Sequence, residues 1–372
     1  MHVLMTRLSA LFRWRRWRAG NDSGSAAVII AVVLGGGVLL GSAALSVDVG
    51  RLYAEHEELQ SGAEAAAMAV ALNCASPTAT SCGTTLPTAT QYANNNAKDG
   101  ASAVNVVCGS GGGLPGCPAQ PSGVLSKCSG TVQSGQSYVE VRTSTLTSSG
   151  STLLPPAFSR AIAGYEGSTV HACARAAWGT PGSATSLAIT FSLCEWNALT
   201  GSGVTYPTAE FAISLHGRSG DSVGGCDSKN DGQSGLNLPG GFGWLDSTGS
   251  CTASTTVNQT VGGSTGTTMT AECETVLKAD ISAHTPVLIA VYDTPSGTGS
   301  HAYYHVVGYA SMMLTGYFWS SSNKLASWLS NKNLCSGSDR CLYGFFTKAL
   351  VPADATIGTG TNYGATVVNL IG

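Results

Sequence analysis

In the segment 26–73, the hydrophobic pattern changes once, near residue 48. Residues 26–47 (AAVIIAVVLGGGVLLGSAALSV) are apolar or small and carry no charge. As a helix this run is about 33 Å long, which suffices for the roughly 30 Å core of a bilayer. Beyond it, glutamates alternate with an apolar stripe at helical spacing, which predicts an amphipathic helix reaching Asn73. The stripe is Leu52, Leu59, Ala63, Ala66 and Ala67, and the glutamates are Glu55, Glu57, Glu58 and Glu64.

The next part of the chain first shows no hydrophobic periodicity and then alternates with the period of a strand. Residues 74–136 are rich in Gly, Ser, Thr, Asn and Pro, which predicts a loop-dominated insert. Residues 137–147 and 168–178 alternate apolar and polar positions and predict strands. Residues 153–164 between them predict a short helix. Strand, helix and strand after a long helix outline a pilin-like α+β head, with a boundary at Thr180–Ser183.

Residues after this boundary predict a second, β-rich unit with minor helix. Apolar segments separated by Gly- and Ser-rich turns predict strands at 186–193, 209–215, 286–292, 302–317 and 341–351. Helices are predicted at 271–280 and 324–330. The predicted fold is therefore α+β, a long N-terminal transmembrane helix followed by a disulfide-stapled, β-rich ectodomain. Its parts are a basic cytoplasmic tail (1–24), the transmembrane and continuing pilin-like helix (25–73), the insert with the head (74–180) and the β-rich domain (181–372).

Cysteine usage indicates an oxidising compartment. The chain has 12 cysteines, all of them after residue 73 and none in a C-x-x-C pair. Disulfides persist outside the cytosol, whereas zinc ribbons need paired knuckles. We expect Cys335 to pair with Cys341 across a short loop, while Cys226 with Cys251 and Cys194 with Cys273 are plausible longer pairs. Spacing alone leaves the connectivity open. The remaining candidates are Cys74, Cys82, Cys108, Cys117, Cys128 and Cys173.

Charge indicates the orientation of the anchor. The first 20 residues hold five arginines and no acid, and the positive-inside rule keeps such a cluster cytoplasmic. The arginines are Arg7, Arg13, Arg15, Arg16 and Arg18. A cleaved signal peptide is the alternative, although its apolar region has only about 7–15 residues.

With 10% charged residues and a net charge of −3, the chain does not have the composition of a nucleic-acid binder.

The anchor segment resembles the N-terminal signature of the Flp pilus-assembly TadE/TadG-like proteins. The signature is a Gly-Ser start, an apolar span, an exit containing Val-Asp-x-Gly-Arg-x-Tyr, a Leu-Gln pair and an Ala-rich helix. The matching positions are Gly24, Ser25, Ala44, Val47, Asp48, Gly50, Arg51, Tyr53, Leu59, Gln60 and Ala65–Ala67. Residues 240–251 and 286–318 also resemble the C-terminal halves of actinobacterial TadG-like ectodomains.

This resemblance implies a membrane-anchored envelope protein with a structural or assembly role in tight-adherence pili. Its implied partners are the membrane and pilus components or secretion machinery. Gly35, Gly36, Gly37 and Gly41 have small-xxx-small spacing that favours self-association, the alternative being glycines that are merely tolerated. Prepilins have Glu five residues after the cleaved Gly. Ser25 follows Gly20 at that distance and Ile29 follows Gly24, so we expect the Arg-rich N-terminus to be retained.

Candidate chemistry is weak throughout. Ser222 lies in a sequence similar to a serine-protease loop, but Val223 replaces a glycine and no histidine has the right setting. His301 and His305 have HxxxH spacing without the glutamate that a metalloprotease needs. Asp246, Ser247 and Ser250 nearly match a metal loop, and Asp227 and Asp231 form half a calcium loop. We therefore expect no catalytic residue, metal ligand or cofactor, and no enzyme; an anchored hydrolase or ligand-binding ectodomain is the alternative.

Overall fold

The computed structural model describes the chain between residues 23 and 371 with several gaps. The described residues are 23–76, 81–123, 127–158, 160, 164–216, 226, 244–246, 251–264, 269–297, 302–337, 339–351 and 354–371. The helices within them are α1 (Ser23–Ala75), α2 (Thr85–Asn96), α3 (Leu193–Thr200) and α4 (Ala271–Ala283). The strands are β1 (Ser102–Ser110), β2 (Ser137–Thr145), β3 (His171–Ser192), β4 (Phe211–His216), β5 (Thr252–Thr256), β6 (Gln259–Gly262), β7 (Val287–Ser296), β8 (Tyr303–Phe318), β9 (Lys324–Leu325), β10 (Arg340–Thr347), β11 (Ala349–Leu350), β12 (Thr356–Gly358) and β13 (Ala365–Leu370).

The predicted transmembrane and continuing helix is a single element, α1. Its 53 residues give a length of about 80 Å. No proline interrupts it, and its Ala, Leu and Glu content favours helix throughout. Its second half carries the apolar stripe, in which Leu59, Ala63, Ala66 and Ala67 are buried. The long N-terminal helix and the β-rich, disulfide-bonded remainder confirm the predicted α+β class.

The second half of α1 forms the spine of the head, a name used here for this half-helix with α2, β1, β2, the first half of β3, and β13. The strands make an antiparallel sheet in the order β1, β2, β3, β13. Alanines of α1 meet a sheet surface of small apolar side chains that includes Val139, Val141, Ala174 and Ala176. Small residues on both surfaces allow the helix to lie close to the sheet.

Two elements of the head lie in the segment predicted as loop. Helix α2 packs its Ala89 and Ala93 on α1, and β1 pairs with β2 along most of its length. At Gly62 of α1, an added Cβ would come within 3.1 Å of the carbonyl oxygen of Ala93. The close contact between α1 and α2 therefore depends on a glycine, and small residues in the second half of α1 pack within the same chain.

Strand β3 runs without interruption through Thr180–Ser183, the residues predicted as a boundary. Its first half pairs with β2 and β13, and its second half pairs with β5 and, in parallel, with β7. Pro181 and Gly182 lie inside the strand beside β12, where a Cβ on Gly182 would be 3.0 Å from the Cα of Gly358. The Pro-Gly pair therefore marks a close approach of two strands, and one continuous strand joins the head to the rest of the chain.

The C-terminal unit, residues 181–364, is built on the sheet order β3, β7, β8, β10, β4. Apart from the parallel β3–β7 pair, the neighbours along this order are antiparallel. Helices α3 and α4 contribute Trp196, Leu277 and Ile281 to the core with Phe191, Ile289 and other strand residues. Four of the five strands predicted in this unit and helix α4 are confirmed within a few residues, while the predicted strand 186–193 is the last part of β3, which begins at His171.

One helix prediction is wrong, and another is confirmed only in part. Residues 324–330 form β9 and a turn, because Trp328 Nε1 donates to the carbonyl oxygen of Leu314 and the Ser327 hydroxyl donates to Glu210. Residues 153–158 form no helix, because Leu154 pairs with Ser168 through backbone hydrogen bonds. Further along that predicted helix, Arg160 is helical and its carbonyl oxygen accepts from the N–H of Gly164, while residues 159 and 161–163 lie outside the described residues.

Candidate membrane anchor and its junction with the head

The first half of α1 is covered by almost no protein. Within the described residues it belongs to the only helix that is long and apolar enough to cross a membrane, and 6% of its most apolar window is buried. Leucines, isoleucines and valines project from all sides, among them Ile29, Val33, Val38, Leu39 and Leu45. A helix that is apolar all round and uncovered fits a lipid environment, in which its backbone hydrogen bonds are satisfied internally.

Asp48 stands where the apolar run ends, and its carboxylate is tied to the head. It is only 8% exposed. Its Oδ1 accepts hydrogen bonds from the backbone N–H groups of Ala157 at 2.6 Å and Phe158 at 3.2 Å. Two consecutive N–H groups that follow Pro155 and Pro156 therefore reach one carboxylate. The aspartate of the signature thus fixes a loop of the head to the exit of the anchor.

The other signature residues divide into two groups. Gln60 is half-buried and its Nε2 donates to Glu64 Oε1 at 2.8 Å, so it belongs to the helix surface of the head. Ala44, Leu59, Ala66 and Ala67 are buried, whereas Gly24, Ser25, Val47, Gly50, Arg51 and Tyr53 are exposed. A Cβ on Gly50 would meet nothing within 4 Å. The described packing of the chain therefore does not explain why a glycine stands there.

Above the exit, α1 is flanked by two grooves of different character. One, of about 350 Å³, is largely apolar and is lined by Val49, Leu52, Tyr53, His56 and residues 168–171. The other is lined by a collar of charges, Arg51, Glu55, Glu58, Lys98 and Asp99. Burial raises the pKa of Glu55, a hydrogen bond from Thr145 counteracts this, and the nearby carboxylates Glu58 and Asp99 raise the pKa further. The collar lies within about two to three helical turns of Asp48, where headgroups and water begin.

Six disulfides use all twelve cysteines, and no cysteine is free. The expected pair Cys335–Cys341 is present. The suggested pairs Cys226–Cys251 and Cys194–Cys273 are wrong, since the structure joins Cys194 to Cys226 and Cys251 to Cys273. The carbonyl of Cys251 accepts from Ala188 in the middle of β3, while Cys194 begins α3 beyond the end of that strand. Strand pairing, which spacing does not reveal, therefore decides the partners. The other pairs are Cys74–Cys82, Cys108–Cys117 and Cys128–Cys173.

A buried ion network, which was not predicted from the sequence, holds the Cys-rich insert to the sheet. Glu140 on β2 is fully buried and bonds Arg142 at 2.7 Å and Arg175 at 2.8 Å. The two guanidinium groups continue to the carbonyl oxygens of Pro118, Ala119 and Gly130. The signal was available, because Glu140 and Arg142 lie two apart on one face of an alternating strand.

The network also explains the two clusters in the described residues that could be mistaken for metal sites. Each combines Glu140 with a cysteine pair, Cys108 with Cys117 or Cys128 with Cys173. Both cysteine pairs are disulfides, which lack the thiolates that a metal needs, and Glu140 is already neutralised by two arginines. The residues of these two clusters therefore have a structural role, as disulfides and as an ion network.

The candidate chemical residues are mostly outside the described part of the chain. This holds for Ser222, His301, Asp227 and Asp231, and for Ser247 and Ser250 after Asp246. Asp246 is exposed and its N–H donates to Gly262. His305 Nδ1 lies 2.8 Å from Asp293 Oδ1, and both side chains are half-buried. Among the described residues, this is the only side-chain hydrogen bond of His305.

The comparisons with known proteins support the candidate membrane anchor. Residues 24–73 match the model of a family described as putative Flp pilus-assembly TadE/G-like. The match confirms the resemblance over the anchor and the spine of the head, while the resemblance of residues 240–251 and 286–318 to TadG-like ectodomains stays a prediction. No curated protein and no solved structure matches the chain. The matched segment and the uncovered apolar helix fit a membrane protein associated with Tad/Flp pili.

Proposed function

We propose that the protein is a single-pass envelope protein with a structural or assembly role in Tad/Flp pili. Its basic N-terminus lies in the cytoplasm, the first half of α1 crosses the membrane, and the head and C-terminal unit lie outside. The observation that carries this proposal is the continuity of α1. One helix is bare and apolar in its first half and becomes the buried spine of a disulfide-bonded head in its second.

The orientation rests on two asymmetries that point the same way. Five arginines precede the apolar run, and cytoplasmic flanks are enriched in arginine and lysine. All six disulfides follow the run, and disulfides persist in extracytoplasmic compartments. The opposite orientation would place six disulfides in a reducing cytosol.

Labelling of single added cysteines with a membrane-impermeant maleimide tests the orientation in intact cells. Ser321→Cys lies on an exposed turn of the C-terminal unit and is expected to react in intact cells. Ser9→Cys in the basic tail is expected to react only after permeabilisation. The reverse pattern would disprove the orientation. Sequencing of the mature N-terminus completes the test, since retention of residues 1–20 is predicted and a start at Asn21 or Ser25 would contradict it.

The pilus role is tested by affinity purification from solubilised membranes of pilus-forming cells. Pilin or the pilus secretion ATPase is expected to co-purify with the full-length chain. The matched control keeps the chain intact but replaces residues 26–47 with a leucine-alanine span of equal length. Absence of pilus components from the wild-type sample would contradict the role, whereas loss in the control alone would assign the contact to the anchor.

Self-association through the anchor stays a prediction within this proposal. A Cβ at Gly35, Gly36, Gly37 or Gly41 would meet nothing within 4 Å, so this surface leaves room for a second helix. Crosslinking in membranes is expected to give a dimer that Gly37→Ile weakens.

We also propose that the protein is not an enzyme. All cysteines are oxidised, so no thiol is available as a nucleophile, and the described contacts of His305 end at Asp293. Such a pair also occurs as a structural contact between neighbouring strands. Ester or peptide hydrolysis by the purified chain, lost in Ser222→Ala or His305→Ala, would contradict this part of the proposal.

A further inference from the structure

The loop that Asp48 holds carries an unusual set of exposed side chains. We call the described residues 153–158, 160, 164 and 165 the tip. Its two ends are joined by the Leu154–Ser168 bridge and by a hydrogen bond from the Thr169 hydroxyl to the carbonyl oxygen of Thr152. Leu153, Phe158 and Tyr165 on the tip are 41–49% exposed. Phe158 is the only exposed phenylalanine or tryptophan in the part of the chain that the structure describes.

The contacts of Asp48 fix the level of the tip along α1. The N–H of Phe158 lies 3.2 Å from the Asp48 carboxylate, and the apolar run ends one residue earlier, at Val47. Backbone atoms of the tip therefore lie where the hydrocarbon of a bilayer would give way to headgroups. Exposing phenylalanine and tyrosine rings to water at this level would be unfavourable, whereas aromatic rings are enriched at the membrane interface.

Ala44 on the apolar run is covered by another part of the chain. Ala44 is 8% exposed, whereas Ala26, Ala27, Ala31 and Ala43 on the same run are all exposed, so neighbouring side chains of α1 do not suffice to cover an alanine. Ala44 lies four residues before Asp48 on the same face of the helix. Atoms from another part of the chain thus cover α1 about one turn, roughly 6 Å, inside the apolar run.

We propose that the tip inserts into the lipid interface of the leaflet from which α1 emerges and seats the head on the bilayer. This inference rests on the proposed membrane span of α1 and adds a second, peripheral lipid contact to it. Phe158 enters the outer edge of the hydrocarbon, Tyr165 lies at the headgroups, and Arg160 remains in the polar layer. The bond between Asp48 and the tip holds the loop at the required depth.

Photocrosslinking from defined positions tests the inference. The full-length chain is reconstituted in vesicles of phosphatidylethanolamine and phosphatidylglycerol with benzoylphenylalanine at position 158 or, in a second variant, 165. Val38→benzoylphenylalanine reports the anchor itself. Tyr92→benzoylphenylalanine is the matched control, because Tyr92 is 44% exposed, close to Phe158 at 49%. Its neighbour Ala93 contacts α1 at Gly62, which lies about 21 Å beyond Asp48 along the helix.

Positions 38, 158 and 165 are expected to give lipid adducts, with a yield about tenfold or more above position 92, because the hydrocarbon is confined to a core of roughly 30 Å. Lipid adducts at position 38 but none above the position-92 level at 158 and 165 would overturn the tip inference and leave the anchor intact. Adducts to a second copy of the chain from position 158 would overturn it as well, since the tip would then be a protein interface. No lipid adduct at position 38 would overturn the membrane span and the tip inference together.

Discussion

Replacing Asp48 should release the tip without unfolding the head. Asp48→Ala removes a charged acceptor from two backbone N–H groups, those of Ala157 at 2.6 Å and Phe158 at 3.2 Å. A hydrogen bond to a charged group contributes about 1.5–3 kcal/mol, so losing two costs about 3 kcal/mol at the lower end of that range. Because about 1.4 kcal/mol corresponds to a tenfold change in an equilibrium constant, opening of the tip should become roughly a hundredfold more frequent.

Hydrogen exchange followed by mass spectrometry on the protein in lipid nanodiscs measures this opening. Peptides that cover residues 153–158 should exchange faster in Asp48→Ala, while peptides from β2 should be unchanged. Asp48→Asn keeps one oxygen acceptor but loses the charge, so its effect should be about tenfold, from the loss of about 1.4 kcal/mol.

Asp99 offers a matched control for the same chemistry at another place. Its carboxylate also accepts from two backbone N–H groups, those of Ala101 at 3.1 Å and Ser148 at 2.9 Å. Asp99→Ala should accelerate exchange around residues 147–150 and leave the tip protected. Unchanged exchange of the tip in Asp48→Ala would refute the reasoning, and so would an equal acceleration across β2, because Asp48 would then support the whole head.

Three further outcomes are expected from other parts of the structure. Gly62→Ala should lower the thermal unfolding midpoint, because its Cβ would lie 3.1 Å from the Ala93 carbonyl oxygen and such overpacking costs about 1–3 kcal/mol. Gly50→Ala is the control and should not lower the midpoint, because a Cβ at that position meets nothing within 4 Å. Burial alone would raise the pKa of Glu210, but hydrogen bonds from Ser327 and Thr315 hold its pKa below the ordinary value of 4.5. The wild type should therefore be more stable than Glu210→Gln above that pH, and denaturant melts should show the difference disappearing as the pH falls through the lowered pKa; a constant difference would contradict this. Non-reducing peptide mapping should link Cys194 to Cys226 and Cys251 to Cys273, and a Cys226–Cys251 peptide would disprove the strand arrangement around β3.

The sequence was most informative where burial has a regular period. The apolar run and the stripe through Leu59 and Ala66 define α1, and alternation defines β2 because one face of that strand lies on the helix. The resemblance over the anchor identified Asp48 as part of a signature. It did not indicate the role of Asp48, because the residues that bind it lie 109 and 110 positions later in the chain.

The missed elements depend on contacts that local sequence does not encode. Helix α2 (TLPTATQYANNN) has the composition of a loop, and it forms where Ala89 and Ala93 can pack on α1. The Pro-Gly pair in β3 has the composition of a turn, yet Gly182 is needed so that Gly358 can come close. Tertiary packing outweighs local propensity at both places.

The continuity of β3 has a mechanical consequence. Its 22 residues are roughly 70 Å long when extended, and they form a covalent bridge between the head and the C-terminal unit. Its flanking strands on the head side are β2 and β13, and those in the C-terminal unit include β5 and β7. A pull on the C-terminal unit directed along β3 would load these rows of hydrogen bonds in shear, so that many must break together instead of one after another. The same strand would transmit such tension from the outer unit into the head that rests on α1.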